Sequence, residues 1–475
     1  MFNKKFYITT TLPYVNAEPH IGFALEIIQA DVIARYHRSL GQEVFFNTGV
    51  DEHGLKIFRK AKEANLDPQK YCDIYAEKFD SLKKSLNLSY DNFIRTTDLH
   101  HVKAAQEFWK LCEKNGDIYK KNYKVKYCVG CELEKTDQEL VNGKCPVHLN
   151  LELEIIEEEN YFFRYSKYQE KLLELYEDDK EFVVPDSRLN EIKQFTKRGL
   201  EDFSVSRLAE KMPWGVPVPG DEKHVMYVWF DALVNYISCL GWPENKKQFN
   251  AYWPGLQVAG KDNLRQQTSM WQAMLLSAGL SNSKQIFIHG HVMADGQKMS
   301  KSLGNVMNPF DLVNKYGTDA TRYYLLRDFH PTEDSDFTYQ KFEQRFNSDL
   351  AGGIGNLVAR VLGVAKSLNK TPKKQADSRF KKAIKEAEKK YIQAIEEFKF
   401  NDALSAIWEI ISFCDKTINE EKLWETKSPK TISGLLFAIY EIGNLLKPFL
   451  PETAEKIQLA VETGKAENLF PKIVK

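Results

Sequence analysis

The 475-residue chain is expected to fold as a doubly wound parallel α/β sheet, split by an insertion with a metal knuckle and followed by an α-helical bundle. Three observations predict this. Strand-like runs alternate with amphipathic stretches over 1–115, and strand-like runs return over 224–297. Cysteines and a histidine at metal-ligand spacing mark the intervening 116–223 as a separate domain. From 342 to 475 the apolar spacing is helical throughout, with a connector at 298–341 before it.

In chain order, 6–12 is β-branched and aromatic and reads as a buried strand. Pro13, Asn16, Ala17 and Pro19 turn the chain. Ile21, Leu25, Ile28, Val32, Ile33 and Tyr36 recur at helical spacing and predict a helix over 21–38. His20 and Gly22 therefore sit where a strand hands over to a helix, whose free N–H groups and positive dipole end suit phosphate. A second strand is expected at 43–48. Apolar runs at 226–230, 256–259 and 285–288 also read as strands, ending in Asp231, Gly260-Lys261-Asp262 and His289-Gly290. The carboxyl ends of parallel strands are where such motifs meet ligands. In the last third, 349–367 and 431–446 are amphipathic helices, punctuated by Pro448 and Pro451.

The insertion contains Cys128-Val-Gly-Cys131 and Cys145-Pro-Val-His148, two ligand pairs with matching gaps and 13 residues between them. Gly130 eases the first turn, and Asn142-Gly143 can reverse the chain before the second pair. Three thiolates and one imidazole satisfy tetrahedral zinc with no open position, so one structural Zn2+ is expected at Cys128, Cys131, Cys145 and His148.

The segment 296–304 reads Gly-Gln-Lys-Met-Ser-Lys-Ser-Leu-Gly. Lys298 and Lys301 supply point charges with three donors each, and the glycines let backbone close on a ligand, so a polyphosphate suits this loop.

His20-Ile-Gly22 together with Lys298-Met-Ser-Lys301-Ser is similar to the paired motifs of class I aminoacyl-tRNA synthetases. The chain resembles the methionyl-tRNA synthetases along nearly its whole length. Supporting segments are Gly49-Val-Asp-Glu-His-Gly54, Val228-Trp-Phe-Asp-Ala-Leu-Val-Asn-Tyr236, Ala259-Gly-Lys-Asp262 and His289-Gly-His-Val292. The resemblance implies a Rossmann-like catalytic domain and a two-step reaction. The methionine carboxylate attacks the α-phosphorus of ATP, and pyrophosphate leaves. A hydroxyl of the 3′-terminal adenosine of tRNA(Met) then attacks the adenylate. Activation is positioning plus neutralisation of charge, and His20, Lys298 and Lys301 suit that task.

The resemblance further places Gly22, Gly260, Asp262 and the backbone of Val292 and Met293 around ATP, bound with Mg2+. It places Leu12, Tyr14, Trp229, Ala232, Tyr236 and Gln267 around the methionine side chain, with Asp51 at its amino group. A thioether packs well against aromatic rings. In the bundle, Asn356 and Arg360 are spaced i, i+4, and Trp424 lies in a polar turn. An amide, a guanidinium and an indole can read or stack on unpaired bases, and the matching family positions read the anticodon. A helix salt bridge and a core tryptophan are the plainer alternatives. Asp51-Glu52-His53 alone also fits a metal site or a catalytic dyad, but no partner ligand of fitting spacing is near.

Departures from the family pattern are Phe23 after His-Ile-Gly, Gln266-Gln267 where Phe-His is usual, Leu233 for a pocket proline and Leu423 for a proline before Trp424. Other class I synthetases fit less well. The leucyl, isoleucyl and valyl enzymes need a larger editing insertion, and the cysteinyl enzyme needs a metal in its amino-acid pocket. A nucleotidyltransferase without RNA would not need the helical third, and a non-catalytic RNA-binding relative would not need His20 and both lysines.

Composition is consistent with this. A hydrophobic content of 43% can fill real cores, and no 18-residue apolar span appears, so a cytoplasmic protein with no membrane partner is expected. Seven cysteines, three of them clustered, argue against a disulfide framework. Residues 351–475 carry 21 Lys+Arg against 16 Asp+Glu, leaving 45 against 50 elsewhere; a mildly basic bundle is compatible with RNA. A monomer is expected, since no further module is visible after the bundle.

Overall fold

The strand expected over 6–12 is Lys5–Thr10 (β1), and the helix over 21–38 is Ile21–Ser39 (α1), in the computed structural model of the chain. The structure describes residues 4–135, 137–294, 296–298, 306–368, 374–375, 377–465 and 467–474. The chain divides into two units: Met1–Pro19, Gly41–Ser81 and Tyr90–Ile288 form one, and His20–Leu40, Leu82–Ser89 and His289–Lys475 the other.

The first unit is built on a six-stranded sheet of β1, Glu43–Val50 (β2), Asn92–Arg95 (β3), Val183–Val184 (β4), Leu256–Gly260 (β5) and Gln285–His289 (β6). Their order is β3-β2-β1-β5-β6-β4. The β3/β2, β2/β1, β1/β5 and β6/β4 pairs are parallel. From β1 the sheet grows in both directions, so a topological switch point lies beside β1 and β5, where the loops after neighbouring strands diverge. Tyr7, Ile8, Phe46, Val258, Ala259 and Ile286 are buried, as parallel strands require. The short helix Leu55–Glu63 (α2) follows β2 after the turn at Gly54.

The run 226–230 is not the strand its composition suggested. Asp221–Met226 is antiparallel to Ser206–Leu208, and Val228–Leu233 is helical. A short apolar run fits a buried helix as well as a strand, and Val228 and Phe230 are both buried here. Asp231 is therefore carried on a helix and not at the end of a sheet strand.

In the insertion, Ile118–Cys128 and Glu154–Phe163 form a long antiparallel ladder, in register from Ile118 opposite Phe163 to Tyr127 opposite Glu154. Asn142 and Gly143 both have left-handed backbones (φ 53 and 75) between the bridged Val141 and Lys144, the turn that their pairing suggested.

The second unit combines α1 with a helical bundle: Asn356–Lys366 (α3), Ser378–Glu396 (α4), Phe400–Glu420 (α5), Pro429–Leu446 (α6) and Pro451–Thr463 (α7). The single helix expected over 349–367 is instead a π-helical stretch, Phe346–Gly355, running into α3. In this winding a Cβ on Gly352 would meet the Asn347 carbonyl oxygen at 2.9 Å, so glycine suits the position. Arg322 is fully buried. It pairs with Asp31 of α1 at 2.8 Å and donates to the carbonyls of Phe449 (2.7 Å), Pro448 (2.9 Å) and Leu86 (3.0 Å). Among the described residues no helix is long and apolar enough to cross a membrane.

Candidate functional site

In the first unit, the chain beyond β1 and the chain beyond β2 run side by side. Asp51 N–H donates to the Pro13 carbonyl at 3.0 Å and Val15 N–H to the Asp51 carbonyl at 3.2 Å, which makes Tyr14 and Asp51 bridge partners. The Tyr14 ring meets Trp229 edge-on at 6.3 Å. Leu12 and Trp229 are half-buried against the cluster that contains Tyr236, while Ala232 is buried on the same short helix as Trp229. Gln267 Nε2 donates to the Tyr236 hydroxyl at 2.6 Å. The Tyr14 hydroxyl, Trp229 Nε1 and Gln267 Oε1 are buried without a hydrogen-bond partner among the described residues. Such groups are costly to leave unmatched and are ready for a polar ligand. Gly260 ends β5, and Asp262 is exposed in the turn after it.

Behind Asp51 lies a second buried carboxylate. Asp231 accepts from or pairs with His53 Nδ1 at 3.0 Å, and His101 Nε2 is 3.9 Å from its other oxygen. Burial pushes Asp231 up, but the two imidazoles more than offset this and hold it below the usual carboxylate range. Burial, then repulsion from Asp231, drives Asp51 well above that range. The two neighbouring carboxylates are shifted in opposite directions, Asp231 toward the anion and Asp51 toward the acid. The His53 ring is engaged by Asp231, 178 positions away, and among the described residues His53 belongs to no cluster of three or more possible metal ligands.

In the second unit, His20 is the N-cap of α1, and its Nδ1 accepts from Gly22 N–H at 3.1 Å. The next residue, Ile21, donates its N–H to the Met307 carbonyl at 3.0 Å, tying the start of α1 to the chain just beyond the lysine loop. Val292 and Met293 lie in the strand Val292–Ala294, between Ser335–Phe337 on one side and Gln297–Lys298 on the other; Met293 is opposite Lys298. Gly290 passes the 333–334 backbone so closely that a Cβ would fall 2.0 Å from the Glu333 carbonyl oxygen. Lys301 lies outside the described residues, with the rest of 299–305.

In the bundle, Asn356 is exposed, and Arg360 pairs with Asp415 at 3.0 Å while donating to Asn419 Oδ1 at 2.6 Å. The ion pair is made to α5 and not within the helix that carries Arg360. Trp424 is not a core residue: it is 51% exposed, on the short turn Leu423–Thr426 between left-handed Lys422 and Lys427.

The ligand atoms of Cys128, Cys131, Cys145 and His148 all lie within 4.8 Å of one another. Cys131 Sγ is 3.2 Å from His148 Nδ1 and 3.5 Å from Cys145 Sγ, near the separations of about 3.3–3.8 Å that ligands adopt around tetrahedral zinc. A Cβ on Gly130 would strike the His148 ring at 2.7 Å, so the first knuckle needs glycine there. The donor set can hold one metal ion.

Comparison with known proteins decides the family. A model described as class I tRNA synthetases (M) matches residues 6–154 and 150–362, and an anticodon-binding domain of tRNA ligases matches 374–471. The chain is 42% identical to the methionine–tRNA ligase of Thermotoga maritima, over 95% of this chain and 74% of that protein. It is 39% identical to that of Brucella suis, over 98% and 94% respectively. The chain belongs to the methionine–tRNA ligase family. The methionyl-tRNA synthetase of Mycobacterium tuberculosis, solved in complex with methionyl-adenylate, matches with a TM-score of 0.91 and 34% identity over 99% of both chains.

Sequence reasoning missed His101, which approaches Asp231 from 130 positions away; no local pattern flags it.

Proposed function

We propose that the chain activates L-methionine with ATP and transfers it to tRNA(Met). The observation that carries this is Asp51, a carboxylate 3% exposed beside Tyr14, whose ring meets Trp229. A buried, proton-hungry carboxylate against aromatic rings suits an ammonium group next to a thioether. In this reading Leu12, Tyr14, Trp229, Ala232, Tyr236 and Gln267 receive the side chain and Asp51 the ammonium. His20, Lys298 and Lys301, with Mg2+ on the nucleotide, neutralise the departing pyrophosphate. Gly22, Gly260, Asp262, Val292 and Met293 hold the rest of ATP. With Gln267 bonded to Tyr236, that side of the pocket is a neutral amide–phenol pair, which suits an uncharged thioether.

The functional division follows: 1–115 and 224–297 catalytic, 116–223 the knuckle insertion, 298–341 the connector, 342–475 the anticodon bundle. We assign Zn2+ to Cys128, Cys131, Cys145 and His148, in a structural role. Metal analysis is expected to give one zinc per chain, and Cys145→Ser should lose both the metal and several degrees of thermal stability; a metal-free protein with an unchanged melting curve would remove this assignment. None of the seven cysteines is in a disulfide, which suits a reducing cytoplasm, and we propose that the protein acts as a monomer.

Pyrophosphate–ATP exchange with each amino acid in turn tests the reading: exchange with methionine alone is expected, and exchange with another amino acid or none defeats it. The exposed indole of Trp424 supports base stacking, worth about 1–3 kcal/mol. Trp424→Ala should therefore lower tRNA charging efficiency at least fivefold while exchange stays at the wild-type rate. Equal loss in both assays would count against an anticodon role.

A further inference from the structure

Glu132 is 1% exposed and has a left-handed backbone (φ 53), a conformation a glutamate keeps only when its surroundings hold it. What holds it is not the metal cluster beside it. One carboxylate oxygen accepts the backbone N–H of Lys56 at 2.6 Å, and the other accepts the Tyr127 hydroxyl. The Tyr227 hydroxyl donates to the Glu132 carbonyl. Lys56 is the second residue of α2, and the N-cap position of that helix is Gly54, which makes no side-chain cap. Glu132 therefore caps α2 from a distant part of the chain, satisfying an N–H that the helix itself leaves open. The clamp has a second contact: Lys56 Nζ donates to the Gly130 carbonyl at 3.3 Å, and the same ammonium sits 5.7 Å from the centre of the Tyr14 ring. It is also tight, since a Cβ on Gly54 would lie 3.1 Å from Glu132 Oε1.

Residues 130–132 of the first knuckle thus grip residues 54–56, and Asp51 lies three positions before Gly54. We propose that Glu132 is a positioning residue that ties the metal knuckle to the 51–56 segment, so that a metal-loaded knuckle fixes the carboxylate of Asp51 for methionine. The link is short: Glu132 is covalently next to Cys131, and its carboxylate ends on the first turn of α2. The inference rests on the assignment of Asp51 to the methionine ammonium.

The test is methionine affinity without ATP, read from tryptophan fluorescence, on the full chain with its metal content measured. Glu132→Ala should weaken methionine about fivefold or more, the scale of one lost helix cap, while zinc stays at one per chain. Glu132→Gln, whose carbonyl oxygen still accepts from Lys56 N–H, should stay within about twofold of wild type. The loss should be confined to ligands with an amine, so 4-(methylthio)butanoate should bind Glu132→Ala and wild type alike. In an Asp51→Asn background Glu132→Ala should add nothing, because the two act through one contact. Chelation should reproduce the loss in wild type and leave Glu132→Ala unchanged. If Glu132→Ala does not fold, Glu132→Asp, which keeps the charge but withdraws it from Lys56, carries the same expectation. Wild-type affinity in Glu132→Ala or Glu132→Asp, alongside a weakened Asp51→Asn, overturns the role of Glu132. An unweakened Asp51→Asn instead overturns the assignment of Asp51.

Discussion

Asp51→Asn is expected to lower kcat/KM for methionine about a hundredfold while leaving the KM for ATP near its wild-type value. Truncating one partner of a buried, hydrogen-bonded charge pair costs about 2–5 kcal/mol, and a hundredfold is about 2.7 kcal/mol. The pH dependence separates this from a loss of shape. Burial, then Asp231, holds the Asp51 carboxyl well above its ordinary range in the free protein. The ammonium group is attracted by the carboxylate and not by the acid, so methionine affinity should be full above the raised pKa and fall as pH drops through it. Stability runs the other way. A group whose folded pKa is raised binds its proton more tightly when folded, so its contribution is greatest below the ordinary carboxylate pKa of about 3.9 and declines as pH rises through the folded value. Asp51→Asn should therefore flatten the acid limb of methionine affinity and raise the thermal midpoint of the ligand-free protein at neutral pH. A variant with wild-type affinity, or one whose affinity keeps the wild-type acid limb, would exclude Asp51 as the ammonium partner. Stabilisation at the expense of binding is common at strained sites.

The legible parts of the chain are those where local pattern and tertiary demand agree. The β1–α1 junction could be read because Ile21 to Tyr36 repeat at helical spacing and α1 keeps that face buried. The knuckle could be read because each ligand pair spans only two intervening residues, so one short turn brings both side chains into the same cluster. The run at 226–230 could not, since Val228-Trp229-Phe230 satisfies a buried strand and a buried helix equally, and only packing chooses. The π-helical stretch before α3 was hidden because an apolar pattern at helical spacing does not show where the winding locally widens. The sequence flagged Tyr14 and Trp229, whose rings meet in the structure, but it could not show the pairing of His53 with Asp231. It joins residues 178 positions apart and holds Asp231 as an anion, whose charge adds to the burial that raises Asp51.

His20→Ala should slow methionine-dependent exchange by about two to three orders of magnitude, the usual effect of removing one preorganised donor to developing charge, with methionine affinity unchanged. The geometry says which ring nitrogen does this. Nδ1 accepts from Gly22 N–H at 3.1 Å, so it carries no proton, and in the neutral ring the proton is on Nε2. The cap therefore fixes both the tautomer and the orientation of the imidazole, and presents an N–H donor at the positive end of α1, a terminus suited to phosphate. One residue has two separable duties, capping and donation. Losing the cap should cost about 1 kcal/mol of stability. His20→Asn separates the two, because its carbonyl oxygen can still accept from Gly22 N–H while its amide stops short of where Nε2 reaches. It should recover the melting temperature lost in His20→Ala and remain slow in exchange. If His20→Asn recovers both, the helix terminus alone carries the effect and the imidazole donor has no part in it; if His20→Ala exchanges within a few-fold of wild type, His20 does not act on the transition state.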